Sequence, residues 1–226
     1  MASKKLTINV DIASVYSYFL FTEIKPLLPR LAALNVHVTI VPVFLGGIFK
    51  ATQNVPPWTN EARGAYLKQD FRRSAERLGL SIVFPDNFMA LANDLVPLRA
   101  LHAIKARCST AAYHDAIAAL FTAFWTPPNA NLNDVNTLEA VLSTVDGLTK
   151  AQVKDAIEAI ETPEIKQQVR EATEMVVRQG AFGAPWIIAE RDGKMECFFG
   201  SDRLSHVYQF LNLPFSDISL GEPARL

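Results

Sequence analysis

The chain has 226 residues, half of them hydrophobic, and its 22 basic and 23 acidic side chains nearly cancel. This length is enough for a full core, either as one domain or as one domain with a large insertion. The balanced charge argues against nucleic acid as a partner. No apolar stretch approaches the roughly 20 residues that a membrane helix needs, so we expect a soluble globular protein without a membrane partner.

The cysteines and histidines form no recognisable metal or redox motif. Cys108 and Cys197 are far apart, and the four histidines lack the spacing of a metal site. The first five residues run directly into a strand pattern and leave no room for a signal peptide. We therefore expect reduced thiols, no bound metal and an intracellular location.

The last three residues, Ala224-Arg225-Leu226, have the small–basic–leucine form of a peroxisomal C-terminal address. A match of three residues also arises by chance in many chains. The sequence leaves the peroxisome open as a location, beside the cytoplasm and the mitochondrion.

The N-terminal segment predicts a strand, a helix and a second strand. Residues 6–12 alternate apolar and polar side chains, and residues 36–43 are rich in β-branched side chains. Between them a helix is predicted to begin near Ser14 and to end or kink at Pro26. A strand–helix–strand unit of this length implies a right-handed parallel crossover.

From about residue 61 to residue 179 the sequence predicts one helix after another. Residues 89–107 and 111–126 carry apolar side chains at helical spacing. A capping box is predicted at 149–152, and Thr162-Pro163 reads as an N-cap followed by a first-turn proline. Gly180 is expected to end the last of these helices.

The C-terminal segment returns to a β pattern. Small residues and Pro185 lead into a strand at 186–189, a turn at 191–194 and a second strand at 195–199. Gly-Ser-Asp at 200–202 then opens a final helix. Because proline has no N–H and helix N-termini favour carboxylates, this segment predicts a site for a peptide-like small molecule.

Together these patterns predict an α/β, thioredoxin-like fold, β-α-β … β-β-α, with a large all-helical insertion domain. Residues 1–58 and 180–226 would form a discontinuous thioredoxin-like domain, and residues 59–179 the helical insertion domain. The helical block is expected to cover the sheet edge at which the first helix begins.

Four motifs recur together, in this order, in one known family. They are Ser14-Val-Tyr-Ser after the first strand, Asn54-Val-Pro-Pro, Gly180-Ala-Phe-Gly-Ala-Pro and Phe199-Gly-Ser-Asp-Arg. On these motifs the chain resembles kappa-class glutathione transferases of the DsbA-like thioredoxin superfamily. It resembles 2-hydroxychromene-2-carboxylate isomerases more distantly. Serines stand where redox relatives carry C-x-x-C, which argues against a disulfide oxidoreductase.

The resemblance implies that Ser14 activates the glutathione thiol. A free thiol has a pKa of about 8.5, so it is mostly protonated at neutral pH. A hydroxyl donor and a helix N-terminus favour the thiolate. The local sequence alone favours a simple N-cap role for Ser14, and the resemblance reverses that preference.

The resemblance also implies the residues that bind glutathione. Pro185 would follow a cis peptide bond, and the backbone of Ala184 would pair with the cysteinyl part. Ser201 and Asp202 would hold the γ-glutamyl end. The local sequence alone favours a trans turn proline at position 185, and it fits an ordinary helix cap at Ser201 and Asp202 equally well. The further glutathione contacts that it implies are Ser14, Val15, Tyr16, Asn54 and Arg63.

Two positions depart from the usual family pattern. Arg63 stands where the family has a lysine near the glycyl carboxylate, so the charge is kept but its reach changes. Val15 replaces a proline, which leaves the helix start less rigid and could alter substrate preference. Aromatic side chains could line an apolar substrate pocket, although core packing is their commoner role; the candidates are Tyr16, Tyr18, Trp58, Phe71 and Trp186.

The resemblance thus implies a homodimeric glutathione transferase that uses glutathione as co-substrate against a small electrophile, and that also reduces organic hydroperoxides. Two alternatives stay open at this point. One is a glutathione-dependent isomerase, which would return glutathione unchanged. The other is a non-catalytic glutathione-binding module, in which the pKa of the bound thiol would be no lower than that of free glutathione.

Overall fold

The computed structural model describes residues 4–216, which form a four-stranded mixed sheet flanked by helices. The strands are β1 (Lys4–Val10), β2 (Val36–Pro42), β3 (Trp186–Arg191) and β4 (Lys194–Phe199). Their order across the sheet is β2-β1-β3-β4. β1 and β2 are parallel, whereas β3 is antiparallel to both β1 and β4. This arrangement confirms the predicted thioredoxin-like topology.

Eleven α-helices connect and cover these strands within residues 4–216. They are α1 (Val15–Ile24), α2 (Leu28–Ala33), α3 (Leu45–Thr52), α4 (Glu61–Arg77), α5 (Phe88–Leu91), α6 (Leu95–Arg107), α7 (Thr110–Trp125), α8 (Val135–Leu142), α9 (Lys150–Ala159), α10 (Pro163–Arg178) and α11 (Leu204–Phe210). A 3-10 turn that contains Pro26 separates α1 from α2, as predicted. Within the described range, none of the helices is long and apolar enough to cross a membrane.

The predicted helix starts at 149 and 162 are confirmed. Thr149 accepts the Gln152 N–H, and the Gln152 side chain accepts the Thr149 N–H, which completes the capping box before α9. Thr162 caps α10, whose first residue is Pro163.

Strand ends shift by up to two residues from the prediction, and two helical segments differ more clearly. The helix expected over residues 89–107 is broken into α5 and α6, because Asp94 leaves the helical path and turns its carboxylate toward Ala13. α11 begins at Leu204 rather than at the Gly-Ser-Asp segment. Gly200 has a φ of +102°, and the turn that follows it places Ser201 and Asp202 ahead of the helix instead of at its cap.

One buried core extends from the sheet into the helices. Leu6 and Ile8 of β1 share a hydrophobic cluster with Leu101, Ile104 and Phe121 of α6 and α7. A smaller cluster lies where α10 and α3 pack near β3, formed by Val43, Ile48, Val176, Ala181, Trp186 and Ile188. The division into domains at residues 58 and 180 stays a prediction.

Helices α6 and α7 cover the polar edge of strand β2. The Tyr113 hydroxyl donates to the Ile40 carbonyl at 3.0 Å, and His102 Nε2 contacts the Pro42 carbonyl at 2.9 Å. Since a carbonyl can only accept, Nε2 carries the proton. Burial lowers the pKa of His102 and keeps the ring neutral. Two carbonyls of this edge strand are thus satisfied by side chains of the covering helices.

Replacing Tyr113 by phenylalanine should therefore destabilise the fold. The Ile40 carbonyl would be left buried without its partner, which costs about 1–3 kcal/mol. Tyr66, which is exposed, provides the matched control, and Tyr66→Phe should change stability by less than about 0.5 kcal/mol. Urea unfolding of the two variants measures the difference. Equal stabilities would show that the hydroxyl of Tyr113 does not support β2.

Candidate functional site

Ser14 is the N-cap of α1 and contacts the segment that precedes β3. Its Oγ accepts the Ser17 N–H at 3.2 Å and donates to the Ala184 carbonyl at 2.9 Å. Both Ser14 and Ala184 are buried, at 6% and 7% exposure. The peptide bond from Ala184 to Pro185 is cis, as the resemblance implies. The structure thus joins two motifs that lie 170 positions apart.

The sheet brings these segments together. Asn9 pairs with Trp186 in the antiparallel β1–β3 ladder, so β1 ends where β3 begins. The Asn9 side-chain amide adds a 2.9 Å hydrogen bond to the Trp186 carbonyl. From α7, Trp125 Nε1 donates to the Ile12 carbonyl at 2.9 Å and fixes the loop that leads to Ser14.

A small apolar cavity of about 160 Å³ opens beside Ser14. Its walls are largely aromatic, with Trp58 against Phe88 at 5.2 Å and Phe84 against Trp125 at 5.7 Å between ring centroids. Of the aromatic side chains expected to line an apolar pocket, Tyr16 and Trp58 do so, whereas Tyr18, Phe71 and Trp186 are not part of this lining. The predicted site residues in its wall are Ser14, Val15, Tyr16, Asn54 and Ala184.

A larger, more polar cavity of about 660 Å³ meets the apolar one. Tyr16, Ala184 and Phe199 line both cavities. Ser201 and Asp202 line the polar cavity, and the Asp202 carboxylate forms an ion pair with Arg203. Other charged side chains in its wall are Glu23, Asp70 and Arg77.

Asn54 and Arg63 occupy different environments. The Asn54 amide donates to the Phe182 carbonyl at 2.7 Å, and its Oδ1 accepts the Val55 N–H at 2.9 Å. These bonds tie the loop after α3 to the segment before Pro185. Arg63 is exposed on the first turn of α4 and lines neither cavity, so its role at the site stays a prediction.

Asp70 is a site residue that the sequence analysis missed. It accepts a 2.6 Å hydrogen bond from the Tyr16 hydroxyl. Burial, this hydrogen bond and the Asp70 charge raise the pKa of Tyr16, so the phenol stays protonated. Asp70 lies three residues after the buried Leu67 and next to Phe71. That helical spacing could have placed it on the inward face of α4.

A buried pair of carboxyl groups, Asp11 and Asp94, was also missed. Their exposed fractions are 0% and 1%, and both accept the N–H of Ala13, one residue before Ser14. Burial raises the pKa of Asp11 to about 7, and burial together with the Asp11 charge raises that of Asp94. No sequence motif marks either residue, because the contact depends on packing between β1 and α6.

A sequence profile of the DSBA-like thioredoxin domain matches residues 5–212. The chain belongs to the DsbA-like thioredoxin family. A human protein named glutathione S-transferase kappa 1 is 27% identical over 172 residues, which are 75% of each chain. Glutathione S-transferase kappa 2 of Caenorhabditis elegans is 29% identical over 211 residues, 91% of this chain and 90% of the relative.

Solved structures of other proteins share the fold. A 2-hydroxychromene-2-carboxylate isomerase superposes with a TM-score of 0.72 at 18% identity, over 92% of this chain and 94% of the other. A probable DsbA oxidoreductase from Streptomyces coelicolor gives a TM-score of 0.68 at 16% identity, over 95% and 94%.

In this DsbA-like chain both cysteines lie apart from Ser14. Neither Cys108 nor Cys197 lines the two cavities, and burial raises the pKa of each thiol, which disfavours a reactive thiolate. Across residues 4–216, no cluster of three or more His, Cys, Asp or Glu side chains could hold a metal ion.

The contact between Tyr16 and Asp70 predicts a measurable titration. Asp70→Asn removes the negative charge, so the pKa of Tyr16 should fall by about one pH unit toward the ordinary tyrosine value, while burial, the largest cause of the raised pKa, remains. Difference absorbance between this variant and the same variant with Tyr16→Phe isolates the phenol. Asp202→Asn is the control and should have little effect, since Asp202 is the weakest of the named influences on this pKa. An unchanged titration in Asp70→Asn would contradict the assignment.

Proposed function

We propose that this protein is a kappa-class glutathione transferase in which Ser14 holds the glutathione thiol as thiolate. The observation that carries the proposal is the Ser14 hydroxyl hydrogen-bonded to the residue before a cis-proline, where a polar and an apolar cavity meet. Relatives named glutathione S-transferase kappa, which cover most of the chain, support the same activity.

Ala184 offers a backbone edge to the cysteinyl part of glutathione. Among residues 4–216, its N–H forms no hydrogen bond and its carbonyl accepts only the Ser14 hydroxyl. A carbonyl oxygen has two lone pairs and can accept a second donor. An extended peptide can therefore pair with Ala184 in antiparallel fashion, which brings its thiol toward Ser14.

The Ser14 hydroxyl has one hydrogen to donate. Oγ accepts the Ser17 N–H and donates its hydrogen to the Ala184 carbonyl, and rotation of the hydroxyl would turn that hydrogen to the sulfur. The N–H groups of Val15 and Tyr16, in the first turn of α1, bind no other described residue and favour an anion at the same place. The thiol proton leaves to solvent, and the thiolate remains.

The polar cavity suits the γ-glutamyl end of glutathione. Ser201 can donate to its carboxylate, and Asp202 can pair with its ammonium group in place of the Arg203 guanidinium. At the opposite end, Asn54 lies in the wall beside Ser14. The exposed guanidinium of Arg63 would fold back toward the glycyl carboxylate.

The electrophile would enter the apolar cavity. For an aryl halide, the thiolate sulfur bonds to the ring carbon and halide leaves, so glutathione is consumed. The aromatic wall formed by Trp58, Phe84 and Phe88 fits flat apolar substrates. Reduction of organic hydroperoxides would begin at the same thiolate. An isomerase of the hydroxychromene carboxylate type would use the same groups but would return glutathione unchanged.

The proposal extends to the oligomeric state and the cellular location of the protein. We infer a homodimer, which light scattering in solution would test. The residues of the peroxisomal address, Ala224 to Leu226, lie outside the described part of the chain. Loss of peroxisomal import on their deletion would test that address.

Ser14→Ala should raise the pKa of the bound glutathione thiol and lower kcat/KM by roughly 100-fold, the effect of losing one preorganised donor. Thiolate absorbance during titration and conjugation kinetics measure these two quantities. Losing the cap costs about 1 kcal/mol, which leaves the protein folded.

Ser17→Ala is the matched control. Ser17 lies in the same helical turn, but it lines neither cavity, and its hydroxyl accepts the Asp11 N–H instead. The Ser17→Ala variant should still bind glutathione as the thiolate. The proposal fails if Ser14→Ala conjugates glutathione as fast as Ser17→Ala. Product formation without consumption of glutathione would favour the isomerase.

A further inference from the structure

Two carboxyl groups lie beneath the loop that presents Ser14, and the proposed thiol chemistry does not use them. Asp11 follows strand β1, and Asp94 precedes helix α6. Both are buried, and they meet at the N–H of Ala13, which hydrogen-bonds Asp11 Oδ1 at 2.9 Å and Asp94 Oδ2 at 3.1 Å. Segments 81 positions apart are thus held at the residue before Ser14.

The hydrogen bonds of Asp11 identify it as the charged member of the pair. Its Oδ1 accepts from Ala13, and its Oδ2 accepts the Leu45 N–H at 2.7 Å, at the start of α3. N–H donors on both oxygens favour a carboxylate. Ionisation of Asp11 therefore leaves neither of its oxygens without a donor.

Asp94 has the opposite arrangement. Its Oδ2 accepts the Ala13 N–H, but its Oδ1 is buried and has no hydrogen-bond donor among residues 4–216. A bare carboxylate oxygen in a dry interior is costly. Because the Ala13 N–H is shared by Asp11 and Asp94, the two carboxyl groups lie close together, and one can hydrogen-bond the other only if one of them is protonated.

We propose that Asp94 is a protonated acid that donates to the Asp11 carboxylate, and that this acid–carboxylate pair positions the loop carrying Ser14. The pair spans three elements, because Asp11 holds the start of α3 through Leu45 while Asp94 ties the start of α6 to Ala13. The positioning role rests on the proposed function. The location of the proton does not.

Few other groups face the pair. From α3 comes the Leu45 N–H, from α1 the Ser17 hydroxyl, which accepts the Asp11 N–H at 3.3 Å, and from the intervening loop the N–H groups of residues 12–14. The N–H of Asp94 itself also faces its carboxyl. Among these groups only the two aspartates ionise, so any titration belongs to the pair.

The contribution of the pair to the stability of the fold should decrease as the pH rises. The folded pair binds a proton more tightly than the unfolded chain, in which an aspartate has its ordinary pKa of 3.8. The stabilisation is therefore complete below pH 3.8 and is lost as the pH rises through the raised pKa of Asp94. Above that range, two negative charges would repel each other beneath Ser14.

The test compares Asp94→Asn with Asp11→Asn, the same chemical change at each member of the pair. An asparagine at position 94 can donate its amide to Asp11 and accept the Ala13 N–H, so it mimics the acid. An asparagine at position 11 must turn its amide against either the Ala13 or the Leu45 N–H. We expect Asp11→Asn to lower the urea midpoint at every pH. Asp94→Asn should keep the wild-type urea midpoint at low pH. Unlike the wild type, it should not become less stable as the pH rises.

Infrared spectra of the unliganded protein provide a direct readout. A carbonyl band of a buried carboxylic acid should be present at neutral pH in the wild type and in Asp11→Asn, and absent in Asp94→Asn. Absence of this band in the wild type, or a greater loss of stability in Asp94→Asn than in Asp11→Asn, would overturn the proposed proton location.

A third measurement tests whether the Asp11–Asp94 pair positions the loop that carries Ser14. Glutathione affinity, followed by calorimetry, should weaken on alkalinisation in the wild type more steeply than in Asp94→Asn. Identical profiles would show that the pair does not position the loop. A failure of the Ser14→Ala prediction together with a normal infrared result would instead count against the proposed transferase, because the infrared experiment contains no glutathione.

Discussion

The hydrogen bond from the Ser14 hydroxyl to the Ala184 carbonyl joins the end of β1 to the start of β3. Antiparallel pairing of these strands brings the two segments to one edge of the sheet, and the serine cap of α1 completes the contact. A serine is suited to this place because it can accept from its own helix and still donate one hydrogen outward. The polar and apolar cavities meet where that hydrogen points.

Buried side chains fix the loop that leads to Ser14 and so stabilise its contact with Ala184. Trp125 fixes the Ile12 carbonyl, while Asp11 and Asp94 share the Ala13 N–H, so helices α6 and α7 both reach the loop before Ser14. The helical segment is thereby part of the site and not only a cover over it. Its aromatic side chains, with those of neighbouring loops, also line the apolar cavity.

The sequence was sufficient for features that depend on local pattern. Alternation marked β1, β-branched side chains marked β2, and the caps at Thr149 and Thr162 marked α9 and α10. Ser14 and Ala184 could be paired only through the family resemblance, because no local rule relates residues so far apart. Buried partners such as Asp70 and Asp94 escaped, since a single acidic residue in a helix or loop gives no sign of which side chain it will meet. The turn at Gly200 likewise depends on a left-handed backbone conformation rather than on a capping pattern.

A crystal structure with bound glutathione tests the central claim most directly. The account predicts that the sulfur lies within hydrogen-bonding distance of Ser14 Oγ and that the cysteinyl backbone pairs with Ala184. The γ-glutamyl end would lie in the polar cavity beside Ser201 and Asp202. A tripeptide bound elsewhere, or one whose sulfur points away from Ser14 toward solvent, would contradict it.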